Sequence, residues 1–187
     1  MGLRVCLSER KPMPRLFVAI CPPEAVRDRL IDAMEGADLK WQEDDQLHLT
    51  LRFVGDVERP LAADLAAALS SVSFPSFELA IHGVGRFDHG RRGALWAGVK
   101  PKDQLKALAA KIERACQSAG LQPERRAYHP HITLSRWSGG KPGLDNWLER
   151  NATLRSEPWR ANEFILYESH LGQSGAHYEP VLTVPLR

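Results

Sequence analysis

The sequence predicts an α+β fold, mainly antiparallel sheet with helices outside it. Three observations carry the prediction. Short apolar runs of period two are interspersed with longer stretches whose apolar residues recur at helical spacing. The order is not the strict strand–helix–strand alternation of a parallel sheet, and the late strands come in adjacent pairs. A four-residue pattern, His-apolar-Thr-apolar, occurs twice in similar surroundings, at His48-Leu49-Thr50-Leu51 and at His131-Ile132-Thr133-Leu134. Such a duplication points to two related lobes that share a cleft.

The elements follow in order. Residues 15–20 (RLFVAI) read as a buried strand stopped by Pro22 and Pro23. Residues 22–36 read as a helix, with prolines in its first turn, a stripe of Val26, Leu30, Ala33 and Met34, and Gly36 at its end. A strand covers 47–54, with Gly55-Asp56 as the turn after it. A second helix covers 60–72, where Leu61, Leu65, Ala68, Leu69 and Val72 recur. Residues 77–87 and 94–100 are strands around a hairpin connection at 89–93. The best helix is 103–119, with Asp103 as its cap, an apolar face of Leu105, Leu108, Ala109, Ile112 and Ala115, and Gly120 after it. A strand at 131–137, a loop at 138–143 and a short helix at 144–151 follow. Two closing strands, 160–169 and 178–186, join through 172–175.

The chain has 187 residues, 43% of them apolar and 26% charged, which excludes disordered and fibrous classes. No apolar run approaches the roughly 18 residues that a membrane-spanning helix needs, so no membrane partner is expected. A net charge of +2 excludes a broadly basic nucleic-acid coat, so any contact with nucleic acid is local. Cys6, Cys21 and Cys116 form no Cys-x-x-Cys pair and no even set. That argues against a disulfide framework or a structural zinc and fits a cytoplasmic protein. The first residues are basic and lack the apolar core of a signal peptide. The expected organisation is a flexible extension over 1–12 and one bilobal domain over 13–187.

The doubled motif carries the chemistry. A strand's period of two puts His48 and Thr50 on one face and Leu49 and Leu51 on the other; the same holds for His131 and Thr133 against Ile132 and Leu134. One such motif is ordinary strand pattern. Two of them offer two imidazoles, one able to act as general base and the other as general acid. Two hydroxyls add neutral donors for oxyanions. The set suits in-line displacement at a phosphodiester, with no metal. His129-Pro130-His131 has no clustered carboxylate or cysteine, so a catalytic metal is not expected there.

With its flanks the motif resembles the 2H phosphoesterases, and more closely their RNA 2′,3′-cyclic phosphodiesterase branch, also called bacterial and archaeal 2′-5′ RNA ligases. The matching pieces are RLFVAI before Pro22-Pro23, HLTLRFVGDV at 48–57, LWAGV at 95–99, PHITLSR at 130–136, and Leu171-Gly172 and Gly175 before Tyr178 and Pro180-Val181-Leu182. The resemblance implies a bilobal fold of two mainly antiparallel sheets with outer helices, a pseudo-two-fold axis and a central cleft. It makes His48 the proton donor, His131 the proton acceptor, and Thr50 and Thr133 the phosphate ligands. It implies hydrolysis of RNA ends or nucleotides bearing a 2′,3′-cyclic phosphate to 2′-phosphates, without a cofactor, by a monomer. Two alternatives stand beside it: a 2′-5′ RNA ligase joining tRNA halves, and a non-enzymatic nucleotide-binding module.

Phe53 and Arg136 lie five residues past the two histidines. The resemblance brings Arg136 to the phosphate and lets Phe53 stack on a base. Strict alternation puts both on the apolar face, so each strand must end or bulge for them to reach the cleft. Arg52 is in phase with His48 and Thr50 and is the rival phosphate contact. Trp41 and Trp137 lie near the motifs and offer rings for a base or ribose, while Trp96, Trp147 and Trp159 read as core. Arg86, Arg91, Arg92, Arg125 and Arg126 are either a rim for RNA or a solvated surface. Gly83-Val84-Gly85 lies between strands and is not a phosphate-binding turn.

Overall fold

The chain opens with β1 (Arg15–Ile20), whose Leu16 to Ile20 are all buried, and α1 (Glu24–Ile31). A 3-10 turn at Asp44–Gln46 leads into β2 (Leu49–Asp56). Next come α2 (Arg59–Ser70), the hairpin β3 (Phe77–His89) and β4 (Arg92–Lys100), and α3 (Lys102–Ser118). The last part is β5 (His131–Ser138), α4 (Asp145–Asn151), β6 (Trp159–Ala161), β7 (Glu163–Gly172) and β8 (Gly175–Pro185). This structure is a computed structural model and describes residues 13–140, 142–172 and 175–187. The expected extension at 1–12 lies outside the described residues, as do Lys141 in the 138–143 loop and 173–174 in the closing connection.

The expected α+β class holds. All strands form one antiparallel sheet in the order β6-β3-β4-β5-β2-β1-β7-β8. Two sheets were expected. The four strands β6-β3-β4-β5 and the four strands β2-β1-β7-β8 are joined by a single pair, Leu49 with Ile132. Both of these side chains are fully buried, so one apolar core runs under the join and the halves meet edge to edge. The duplication is visible in the topology. β1–α1–β2 and β4–α3–β5 are each an antiparallel strand pair with a helix between, and each second strand carries a His-x-Thr motif.

The sheet is not flat. Neighbouring strands are about 4.8 Å apart, so the six steps from β6 to β7 would span about 29 Å in a plane. Yet only Asn162 separates Ala161 of β6 from Glu163 of β7, a reach of at most about 7.6 Å. The sheet therefore bends until its two halves meet at Asn162, whose carbonyl accepts from Leu186 N at 2.7 Å. The single strand expected at 160–169 is split there. Trp159 and Ala161 bury beside β3, Phe164 and Leu166 bury beside β1, and exposed Asn162 is the corner between them.

Helices cover the face that carries Leu49, Leu51, Ile132 and Leu134, in one cluster with Leu30, Leu65, Leu69, Leu105, Leu108 and Ile112. α1 is shorter than expected because its last turn tightens: Ala33 and Met34 donate to the carbonyls of Leu30 and Ile31 while their side chains stay buried. Pro101, not Asp103, occupies the N-cap of α3; Asp103 puts a negative charge in the first turn. Gly120 ends α3 as expected, at φ 102°, and Leu121 N reaches back to Cys116 O at 3.0 Å.

Candidate active site

The Leu49–Ile132 pair fixes the geometry at the centre. The antiparallel register sets His48 across from Thr133 and Thr50 across from His131. All four side chains rise from the face opposite the helices and are half-buried. Neighbouring strands confirm the phase, since Ala19 pairs with Thr50, Trp96 with Thr133 and Gly98 with His131.

Each motif strand then bulges at the same place. In β5, Thr133 pairs with Trp96 and Ser135 with Leu95, so Leu134 is the extra residue. In β2, Thr50 pairs with Ala19 and Arg52 with Val18, so Leu51 is extra. A bulge inserts one residue and reverses the alternation beyond it. Arg136 and Phe53 thereby come round to the His/Thr face, whereas Ser135 and Arg52 turn to the helix face.

The side-chain contacts follow this phase. Arg136 Nη2 donates to Thr133 Oγ1 at 3.3 Å. Phe53 is 48% exposed, with Arg15 5.1 Å above its ring. Arg52, expected beside His48, is turned away. Its Nε pairs with Glu113 of α3 at 2.5 Å, and its Nη atoms donate to the Phe53 and Gln122 carbonyls. Ser135 is fully buried and donates to the Lys40 carbonyl at 2.7 Å.

The two histidines sit in different surroundings. His48 is enclosed by the rings of Phe17 and Tyr178, at 4.8 and 5.2 Å, and its buried Nδ1 has no hydrogen-bond partner of good geometry among the described residues. Burial is the main reason its pKa falls to about 4; the Gln46 backbone opposes the fall, and the charges of Arg136 and His131 add to it. His131 lies at 5.0 Å from Phe87 and 6.1 Å from Trp96. Burial also lowers its pKa, opposed by the hydrogen bond between Nδ1 and the His129 carbonyl at 2.6 Å. A carbonyl only accepts, so Nδ1 carries the hydrogen and Nε2 of the neutral ring keeps its lone pair.

Sequence reasoning missed the ring partners. Trp96, read as core, is half-buried on the His/Thr face, and its ring occupies the space over Gly85. That explains the glycine: a Cβ there would come within 2.3 Å of the indole. The alternation of RLFVAI could have exposed Phe17, since it falls in phase with Ala19. Nothing local marks Tyr178. Trp147 and Trp159 are core, as expected. Trp137 lies on the helix face of β5 beyond the bulge, and Trp41 pairs with Ser135 and packs at 5.8 Å from Trp147, so neither ring is among the site's contacts. Of the rim arginines, Arg86 is tied to Asp88 and Asp145 and Arg91 to the Gly139 carbonyl.

The geometry defines a class of site: paired imidazoles and hydroxyls on one sheet face, with a guanidinium beside them. The chain matches the 2′-5′ RNA ligase superfamily over residues 22–173 and belongs to that family. It is 31% identical over 156 residues to the RNA 2′,3′-cyclic phosphodiesterase of Aeropyrum pernix, covering 81% of this chain and 89% of that one. It is 27% identical over 185 residues to the RNA 2′,3′-cyclic phosphodiesterase of Escherichia coli, covering 89% and 93%. The crystal structure of E. coli LigT complexed with 3′-AMP aligns with a TM-score of 0.75 at 27% identity, covering 94% of this chain and 99% of that one.

Proposed function

We propose that the protein hydrolyses RNA 2′,3′-cyclic phosphates to 2′-phosphates, with His48 as general acid and His131 as general base. The observation that carries this is the two-fold placement of His48, Thr50, His131 and Thr133 around the Leu49–Ile132 pair. The names of the relatives at 31% and 27% identity support the substrate. The bend of the sheet supports a bilobal domain over 13–187 with its cleft on the His/Thr face.

The residues act as follows. The cyclic phosphate lies between the two threonines. Thr133 Oγ1 already accepts from Arg136, so its hydroxyl hydrogen is free to donate to a phosphate oxygen, with the guanidinium alongside. Nε2 of His131 takes a proton from water, and the water oxygen bonds to phosphorus. The P–O3′ bond breaks on the opposite side, and O3′ takes its proton from His48, leaving a 3′-hydroxyl and a 2′-phosphate. His48 must be charged for this, although its pKa in the free protein is about 4. The anionic phosphate supplies the opposite charge that raises it, so binding brings the acid into its working state. Phe53, on the same face and exposed, offers a platform for the terminal base.

The test uses an oligonucleotide ending in a 2′,3′-cyclic phosphate, with and without EDTA. Wild type should give a 2′-phosphate end in both. His48→Ala and His131→Ala should each lower kcat by about 10² to 10⁴. Retained activity in both variants would sink the assignment. Adding a 5′-hydroxyl RNA to the same reaction shows whether a sugar hydroxyl replaces water and a 2′-5′ joined product forms.

A further inference from the structure

Cations without acidic partners gather next to His131. Lys100 ends β4 two residues past Gly98, the partner of His131, and so shares its face. Its Nζ lies 2.6 Å from Nε2 of His82; an ammonium only donates, so this imidazole nitrogen accepts. Lys102 and Lys106 stand one turn apart at the start of α3 and face His129, whose ring is 6.0 Å from that of His131. Arg155 pairs with His82 through a backbone bridge on the other side of β3, close enough for its charge to lower the His82 pKa. All four cations are exposed, and among the described residues none of them pairs with a carboxylate. Arg15, Arg27, Arg52 and Arg86 all do.

Between these cations and His131 lies an aromatic floor. His129 is 4.8 Å from Trp96 and 5.5 Å from Phe87, and both of those rings also touch His131. The cations are spread over a strand end, a helix start and a loop, so they do not converge on one phosphate. A line of cations leading to stacked rings is how proteins hold a single-stranded nucleic acid.

We infer that Lys100, Lys102, Lys106 and Arg155 form a backbone track for a single-stranded RNA, so that the site takes the end of a polynucleotide in preference to a free nucleotide. This rests on the reading of the site as one that acts on RNA ends. Each cation displaces counterions from the chain it binds, which makes the preference salt-dependent.

The experiment compares wild type with the triple variant Lys100→Gln, Lys102→Gln, Lys106→Gln. The substrates are a cyclic-phosphate-ended oligonucleotide and a 2′,3′-cyclic mononucleotide. At roughly 0.7 per contact, three lost contacts lower the slope of log(kcat/KM) against log(salt) by about 2, so wild type's advantage on the oligonucleotide shrinks about 16-fold between about 50 and 200 mM salt. On the mononucleotide the two proteins should agree within about twofold, which also reports that the variant is folded. An unchanged oligonucleotide rate, or an equal fall on both substrates, overturns the track. If wild type turns over neither substrate, it is the proposed activity that has failed. The same salt slope, read by fluorescence anisotropy with a labelled single-stranded RNA, then decides on the track alone.

Discussion

The low pKa of His48 makes a prediction about stability that needs no substrate. Its imidazole titrates at the usual 6.5 in the unfolded chain and at about 4 in the folded one. As the pH falls through 6.5 the unfolded chain takes the proton first, so this contribution is complete above 6.5 and is lost on the way down to 4. The whole shift corresponds to about 3 kcal/mol, of which about 2 kcal/mol is already lost at pH 5. His48→Gln removes the titration and keeps a planar polar side chain of similar size. Urea unfolding followed by circular dichroism near pH 8 and near pH 5 gives the stability of each protein. Wild type should lose about 2 kcal/mol more than the variant across that interval. The other histidines are common to both proteins and drop out of the difference. Equal losses, within about 0.5 kcal/mol, would refute the claim that the ring is held neutral by its enclosure under Phe17 and Tyr178.

Three further predictions concern the site and its support. Arg136→Gln removes a cation that pushes both motif histidines down, so both pKa values should rise; NMR titration of the ring protons reads this, and unchanged or lower values contradict the placement. Arg52→Met takes from the Glu113 carboxylate its cationic partner, leaving it the Gln117 and Glu124 N–H donors, and should cost about 2 kcal/mol in urea unfolding. Its kcat/KM on a cyclic mononucleotide should change less than about threefold, because the guanidinium lies on the helix face; a loss of about 10²-fold would return Arg52 to the phosphate. Gly85→Val drives a side chain into the Trp96 indole and should destabilise the protein by about 1–3 kcal/mol, with a shift in tryptophan fluorescence; an unaltered urea midpoint would show that the indole does not rest there.

Much of the centre was legible because alternation is local. The phase of His48 and Thr50 against Leu49 and Leu51 follows from period two alone, and the second motif repeats it. What lay beyond the motifs was not legible in the same way. Whether Leu51 or Leu134 is an extra residue depends on the register with β1 and β4, which no short stretch encodes. Alternation therefore favoured Arg52 over Phe53, and the bulge reverses that order. The need for a bulge to bring Arg136 round was visible; its position was not. Trp96 was misplaced for a related reason: its surroundings are set by Gly85 on the neighbouring strand. The split at Asn162 shows in the sequence only as a one-residue change of phase, from Trp159 and Ala161 to Phe164 and Leu166, and that the two parts pack into different halves is a tertiary decision. The N-terminal cap of α3 went to Pro101, which places Asp103 inside the first turn.

The matched bulges have a consequence for how a symmetric scaffold acquires two different ends. Both halves deliver to the same face whatever stands five residues after the histidine, because the backbone device is the same and Leu51 and Leu134 fill the same role. The identity of that fifth residue is consequently uncoupled from folding: it takes no part in the core and its exposure asks only that it be compatible with a strand. One half spends the position on a guanidinium and the other on a phenyl ring. If the site works as proposed, a single side-chain exchange there would alter what it can grip and leave the framework untouched, which makes positions 53 and 136 the natural place to retune specificity in this molecule.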